Sequence, residues 1–309
     1  MQTTSHLLMI RPVNFGFNPE TAVNNAFQSA GSDEHTQQKA LVEFDDFVAL
    51  LSINGVDVTV VDDSPVPHTP DSIFPNNWVS FHEDGTICLY PMFAENRRRE
   101  RRQSILELVA GKFKVARTID FSHFENENIF LEGTGSMVLD RDKRIAYACL
   151  SPRTDYLVLN DFCEKLGYIP EVFDAMDSQG VAVYHTNVMM CVADQYIVIC
   201  LDSLPAEHEK IHVRETIGRT GKTLIAISPD QMNHFAGNML QVNNERGEKL
   251  LIMSTRAFQS LKPDQVTQLS AFNRILHSGL NTIETFGGGS ARCMMAEIHL
   301  PSRLPDQAD

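Results

Sequence analysis

The stretch GSMVLDRDKRIAYACLSPRTDYLVLNDFCEKLG, Gly135–Gly167, runs through two short strand-like segments and then a helix. GSMVLD and RIAYACLS are rich in Val, Ile and Leu, as strands are. Asp155 to Gly167 reads as helical. The same grammar recurs outward in both directions. HLLMIRP and VDVTVVDD flank helical segments from Asn18-Pro19-Glu20 to about Ala30 and from Gln37 to Ile53. In the first, Asn18 is the cap, Pro19 the first turn and Glu20 its acidic residue. In the second, Leu41, Phe44, Phe47, Val48 and Leu51 share one face, and Gly55 is a stop signal. NWVSFH and TICLYPM precede a helical stretch from Glu95 to Gly111; QYIVICLD and KTLIAIS follow; GNMLQVN and KLLIMST precede one from Pro263 to Gly279.

Several strands per helix, repeated about five times, is not the one-strand, one-helix alternation of a doubly wound sheet. No fixed-period motif repeats, and no low-complexity linker or composition break divides the chain. The expectation is one α/β domain over residues 1–309, with LPDQAD at 304–309 as a solvated tail.

Bulk properties narrow the function. Apolar residues at 43% and charged residues at 21% are those of a globular protein. A net charge of −14 argues against nucleic-acid or anionic-membrane partners. No apolar run is long enough for a membrane span, and Arg11 and Pro12 interrupt the first segment too early for a secretory signal, so the cytoplasm is the expected compartment. Six scattered cysteines without a C-x-x-C pair exclude zinc-ribbon and thioredoxin readings and fit reduced thiols.

Four polar clusters sit beside strand-like segments: TPDSIFPNNW (69–78), FLEGTGSM (130–137), YHTNVMM (184–190) and GGGSARCMMAEI (287–298). Cys293, His185 and Glu132 together supply a nucleophile, a proton shuttle and a carboxylate that orients it. A competing signal is His208-Glu209-Lys210-Ile211-His212, which fits H-E-x-x-H. Glu207, Lys210, Arg214 and Glu215 crowd the same turns, the pattern of a solvated helix and not of a buried zinc helix, so no metal is expected. G-x-G-x-x-G, G-x-x-x-x-G-K-[ST] and G-x-S-x-G are absent. ENRRRERRQ (95–103) stands alone in an acidic protein and reads as a solvated helix start or as a source of arginines for a substrate carboxylate.

Taken in order, the four clusters resemble the guanidine-modifying, or pentein, superfamily over nearly the whole chain, and most closely its citrulline-utilization hydrolase branch. The resemblance implies a five-bladed, pseudo-symmetric α/β propeller of ββαβ units around a central pocket. It implies Cys293 as nucleophile, His185 as general acid/base and Glu132 as the carboxylate that binds the reacting nitrogens. It places Asp71 and Asn77 in the pocket lining and Arg97 and Arg153 on the substrate's carboxylate. No cofactor is implied. The partner is a small amino-acid substrate, with a homodimer or higher homo-oligomer left open.

Two positions depart from the pattern of arginine deiminases. Asn77 and Asn187 stand where those enzymes carry carboxylates. A guanidinium cation suits a carboxylate, whereas a neutral ureido group offers a carbonyl oxygen to which an amide can donate. The expected reaction is therefore hydrolysis of citrulline to ornithine, ammonia and carbon dioxide. Arginine dihydrolase, arginine deiminase or dimethylarginine hydrolase activity, and a non-catalytic binder of the same fold, are the alternatives.

Overall fold

Fifteen strands pair into five sheets of three, and one rule builds each sheet. The computed structural model describes residues 1–30 and 35–303. β1 (His6–Arg11) and β2 (Asp57–Asp62) run parallel. β3 (Val79–Phe81), β4 (Thr86–Leu89) and β5 (Arg117–Asp120) form the second sheet. β6 (Val138–Asp140), β7 (Ile145–Cys149) and β8 (Ile169–Phe173) form the third. β9 (Met190–Val192), β10 (Tyr196–Ile199) and β11 (Thr223–Ala226) form the fourth. β12 (Leu240–Asn243), β13 (Lys249–Ser254) and β14 (Arg274–Ser278) form the fifth. β15 (Ala296–Glu297) returns antiparallel to β1 and completes the first sheet.

In every sheet an antiparallel pair is followed by a parallel partner. A parallel pairing needs a long crossover. Helices Thr36–Ile53, Gln103–Lys112, Tyr156–Leu166, Glu207–Thr220 and Pro263–Ser270 supply it. The result is five ββαβ units, in line with the propeller that the family resemblance implies. β3, β6 and β9 are buried at every residue, whereas β5 and β14 are largely open to solvent. β3 lies against β15, β6 against β9 and β9 against β12, so the first strands face one another at the centre. The helix Thr36–Ile53 buries Phe44, Phe47 and Leu51 completely, the face its periodicity picks out.

Three helices are shorter than their patterns suggest. The first stops after Pro19–Ala22. Asn18 caps it as expected, but Asn24 and Asn25 then leave the helical path to bind Arg153 and Gly288. The stretch from Glu95 breaks into Glu95–Arg98 and Gln103–Lys112, because Arg97 and Arg101 are drawn to two separate acids, the buried Glu100 and the partly buried Glu125. The last ends at Ser270, and Arg274–Ser278 becomes a strand against β13. Tertiary pairing overrides local propensity in each case. The tail at 304–309 lies outside the described residues. No helix among the described residues is long and apolar enough to cross a membrane.

Candidate active site

The segment that leads into each first strand carries one polar residue of the centre. Asn77 ends the turn Pro75–Asn77 before β3. Glu132 precedes the single turn Gly133–Ser136 before β6, and His185 precedes Thr186–Met189 before β9. Asn238 comes just before β12, and Cys293 lies in the turn Ala291–Met294 before β15. Five-fold repetition thus gathers residues from 77 to 293 at one end of the propeller. Asp71, Asn77, Arg97, Arg153, His185 and Cys293 line one narrow cavity. Its free space of about 10 Å3 is room for a single water.

Glu132 is fully buried and holds both oxygens in defined contacts. Oε1 accepts from the Phe93 amide at 3.0 Å, and Oε2 accepts from His185 Nε2 at 2.8 Å. Arg153 and Arg97 approach Oε2 at 3.5 and 3.9 Å. Burial alone would raise its carboxyl, but Arg153, the His185 bond and Arg97 outweigh it and hold the group well below the usual carboxylate range. An ionised acceptor assigns the proton to His185 Nε2 and leaves Nδ1 as the basic nitrogen. Burial pushes the imidazole down to about 4, against the pull of Glu132 and with that of Arg153 and Arg97. At neutral pH His185 is an uncharged base. Its Nδ1 borders Gly135, where a Cβ would lie 2.8 Å from Nδ1 and 2.4 Å from Asn77 Nδ2. Only glycine lets the loop pass there.

Two amides point at the Cys293 sulfur. Asn187 Nδ2 donates at 3.4 Å and Asn238 Nδ2 at 3.3 Å. Asn238 also donates to the Asn187 carbonyl at 2.9 Å and accepts from the Arg292 amide at 3.0 Å, so its orientation is fixed. The turn that presents it is built for close approach. Phe235 has φ 62°, and a Cβ on Gly237 would lie 2.3 Å from the Val188 carbonyl oxygen. Sequence reading took GNMLQVN only as a strand and missed Asn238. Its place just before a first strand, like that of Asn77, Glu132 and His185, is the signal that could have found it. The other five thiols are buried too, and burial lifts Cys88, Cys149, Cys163 and Cys191 to about 12 and raises Cys200.

Asn77 turns its Oδ1 to Arg97 Nη1 at 2.8 Å, which aims its NH2 away, towards Asn76 Oδ1 and the His185 side. Asp71 accepts from Asn18 Nδ2 at 2.7 Å and Thr21 Oγ1 at 3.0 Å through Oδ2. Its Oδ1 is buried without a partner among the described residues. Desolvation raises its carboxyl, and Arg97 opposes this. Arg97 forks onto Glu100 at 2.9 and 3.0 Å and also donates to the Phe74 carbonyl. Arg153 donates to the Thr21 carbonyl and the Asn24 side chain and stacks over Tyr184 at 5.0 Å. Both arginines line the cavity, yet most of their donors are engaged within the protein. The Asn24 oxygen takes the fork of Arg153 much as a carboxylate would.

The H-E-x-x-H match lies on the surface helix Glu207–Thr220. His212 is 61% exposed and approaches Glu171 at 3.3 Å. No cluster of potential metal ligands occurs among the described residues.

Residues 11–300 match the family model for N,N dimethylarginine dimethylhydrolase, eukaryotic. Among solved structures, the apo form of ArgZ, an arginine dihydrolase from the ornithine–ammonia cycle in cyanobacteria, gives a TM-score of 0.76 at 16% identity. That match covers 97% of this chain and 41% of ArgZ, so the chain spans well under half of that relative's length. The substrate-bound N-terminal domain of ArgZ gives 0.76 at 15% identity, over 96% of this chain and 98% of that one. A dimethylarginine dimethylaminohydrolase adduct with S-methyl-L-thiocitrulline gives 0.61 at 16%, over 96% and 100%. At these identities the structural likeness is one of fold. No curated protein sequence matches. With the family model covering nearly its full length and five ββαβ units in its fold, the chain belongs to the dimethylarginine dimethylhydrolase family of the pentein superfamily, a family of hydrolases.

Proposed function

We propose that this hydrolase acts on the ureido group of citrulline and releases ornithine, ammonia and carbon dioxide. The observation that carries the reading is the amide surround of Cys293. Asn187 and Asn238 donate to its sulfur, Asn77 holds its NH2 on the histidine side, and both oxygens of Glu132, the partner of His185, are committed. A neutral carbonyl beside the sulfur finds amide donors, and the one carboxylate that lines the cavity, Asp71, is turned to Asn18 and Thr21 through one of its two oxygens.

The charged groups suit the other end of the molecule. Arg153 and Arg97 take the α-carboxylate and Asp71 Oδ1 the α-ammonium, once Asn24 yields the fork of Arg153. Cys293 attacks the ureido carbon and forms a C–S bond. His185 accepts the thiol proton and delivers it to the departing nitrogen as one C–N bond breaks. Water, deprotonated by His185, then cleaves the S-carbamoyl group. The C–S bond breaks, the sulfur takes back its proton from His185, and the released carbamate decays to carbon dioxide and the second amine, ornithine or ammonia according to which left first. Glu132 keeps the imidazole oriented and stabilises its cationic form.

Arginine dihydrolase is the second reading, favoured by the unpartnered Asp71 oxygen, which would also suit a guanidinium. The structural relatives named arginine dihydrolase share this fold. Incubation with citrulline, arginine and dimethylarginine, with ornithine, citrulline and ammonia quantified, separates the readings. Ornithine from citrulline alone is the expected result. Ornithine from arginine at comparable kcat/KM would replace it with the dihydrolase, and citrulline from either guanidino compound would point to a deiminase or dimethylarginine hydrolase. We also read the chain as a single domain in a reducing cytoplasm, where its six free thiols stay reduced.

A further inference from the structure

The first strands have two ends. Their leading ends carry the catalytic cluster. Their trailing ends carry His82 after β3, Arg141 after β6 and His299 after β15. These three residues, with Tyr168 and the more exposed Glu83 and Arg144, line a second cavity of about 240 Å3. It is far roomier than the space beside Cys293.

Arg141 is the feature that needs a partner. It is only 6% exposed, and its guanidinium makes no hydrogen bond or ion pair among the described residues. The nearby acids are committed elsewhere. Glu297 binds Arg292 at 2.6 Å, Asp140 binds Lys222 at 2.9 Å and Glu83 binds Arg144 at 2.8 Å. The backbone around Arg141 is held, since its own amide donates to Gln2 Oε1 at 2.7 Å. His82 shares Nε2 with Ser80 Oγ at 2.8 Å and keeps Nδ1 unpartnered; His299 Nε2 faces Glu297 Oε1 at 3.6 Å. A buried guanidinium without a hydrogen bond of its own is costly even where a carboxylate such as Glu297 feels its charge, and its planar fork matches a carboxylate or phosphate.

We propose that this cavity is a second ligand site that takes a small oxyanion-bearing molecule, with its carboxylate or phosphate on Arg141 and the rest of it against His82, His299 and Tyr168. The site lies at the end of the strands opposite Cys293 and does not depend on which substrate the enzyme turns over.

Histidine imidazole NMR signals of the full chain, assigned with His82→Gln and His299→Gln, report on it directly during titration with acetate and, separately, with inorganic phosphate. Saturable shifts at both histidines are expected with at least one probe. The tighter probe identifies whether the natural ligand carries a carboxylate or a phosphate. Arg141→Gln should weaken that affinity about tenfold or more, and Arg153→Gln, at the catalytic end, should leave it unchanged. If Arg141→Gln does not fold, Arg141→Lys serves, because loss of the fork should weaken binding severalfold. Absence of saturable shifts, affinity that survives the Arg141 change, or affinity lost with Arg153→Gln would overturn the site.

Discussion

Asn238→Asp tests the amide surround with the least disturbance of shape. The substitution exchanges one NH2 for an oxygen. It keeps the acceptor that binds the Arg292 amide at 3.0 Å. It removes the donors to the Asn187 carbonyl and to Cys293 Sγ, and it sets an anionic oxygen about where a nitrogen now lies 3.3 Å from the sulfur. A hydrogen bond to a charged group contributes about 1.5–3 kcal/mol, so its loss alone lowers the rate of any thiolate reaction about ten- to a hundredfold. Repulsion between carboxylate and thiolate adds to that loss. Asn238→Ala removes the same donors without the charge but strands the Arg292 amide, so it should cost about 1–3 kcal/mol of stability as well. The assay is the rate of iodoacetamide reaction with Cys293 at neutral pH, read by mass spectrometry, alongside kcat/KM. The expected order is wild type, then Asn238→Ala, then Asn238→Asp. Equal alkylation rates in all three would show that the amide does not support the sulfur, and the argument for a donor-lined site would fail with it.

The other predictions rest on burial and space. Iodoacetamide should modify the native protein once, at Cys293, because burial holds Cys88, Cys149, Cys163 and Cys191 as thiols near 12; a second adduct before unfolding would contradict this. Gly135→Ala should destabilise the fold by about 1–3 kcal/mol and abolish turnover, since its Cβ would lie 2.4 Å from Asn77 Nδ2 and 2.8 Å from His185 Nδ1. A wild-type melting temperature and kcat would refute that placement. Burial depresses His185 and His299 to about 4 and His82 well below its ordinary 6.5, so the unfolded chain binds protons that the folded chain refuses. Their stabilisation is complete above about pH 6.5, falls by about 1.4 kcal/mol per histidine per pH unit below it, and for His185 and His299 is gone below about pH 4. Urea unfolding should show that decline, and stability unchanged from neutral pH to about pH 5 would refute it. The same depression leaves His185 a competent base throughout that window, so kcat/KM of the folded enzyme should show no acid limb near 6.5 from this residue.

The sequence and the structure agree most where burial is two-sided. β1, β7, β10 and β13 are nearly continuous apolar runs buried along most of their length, and such runs are visible without a partner. β5, β8 and β14 are not visible in this way. ARTID and ILHS lie on the open side of their sheets, where the side chains answer to solvent and only the backbone pairing to β4 and β13 makes them strands. β14 was hidden inside a helical pattern for the same reason. The four polar clusters that hold Asp71, Asn77, Glu132, His185, Asn187 and Cys293 stand out because turns and glycines set them off from their strands, whereas the choice of residue within each is what the family resemblance implies.

What one sequence could not disclose was direction. Arg97 and Arg153 both line the cavity that holds Cys293, as the family resemblance implies, but Glu100 and Asn24 already occupy most of their donors. That engagement is a statement about mechanism. The Arg97–Glu100 fork fixes the guanidinium that in turn fixes which face of the Asn77 amide looks at the reacting carbon. Asn77 offers NH2 and not oxygen there because Arg97 has claimed the oxygen. Replacing Glu100 with Gln would weaken the fork and free the amide to turn, by a change at a residue that does not itself line the cavity. Discrimination between a neutral ureido and a cationic guanidino group would then fall while the fold and the thiol's reactivity persist. If selectivity is unchanged in such a variant, the specificity of the site must reside in Asp71 and the arginines alone, and the neutral character of the pocket would have to be explained from the opposite end.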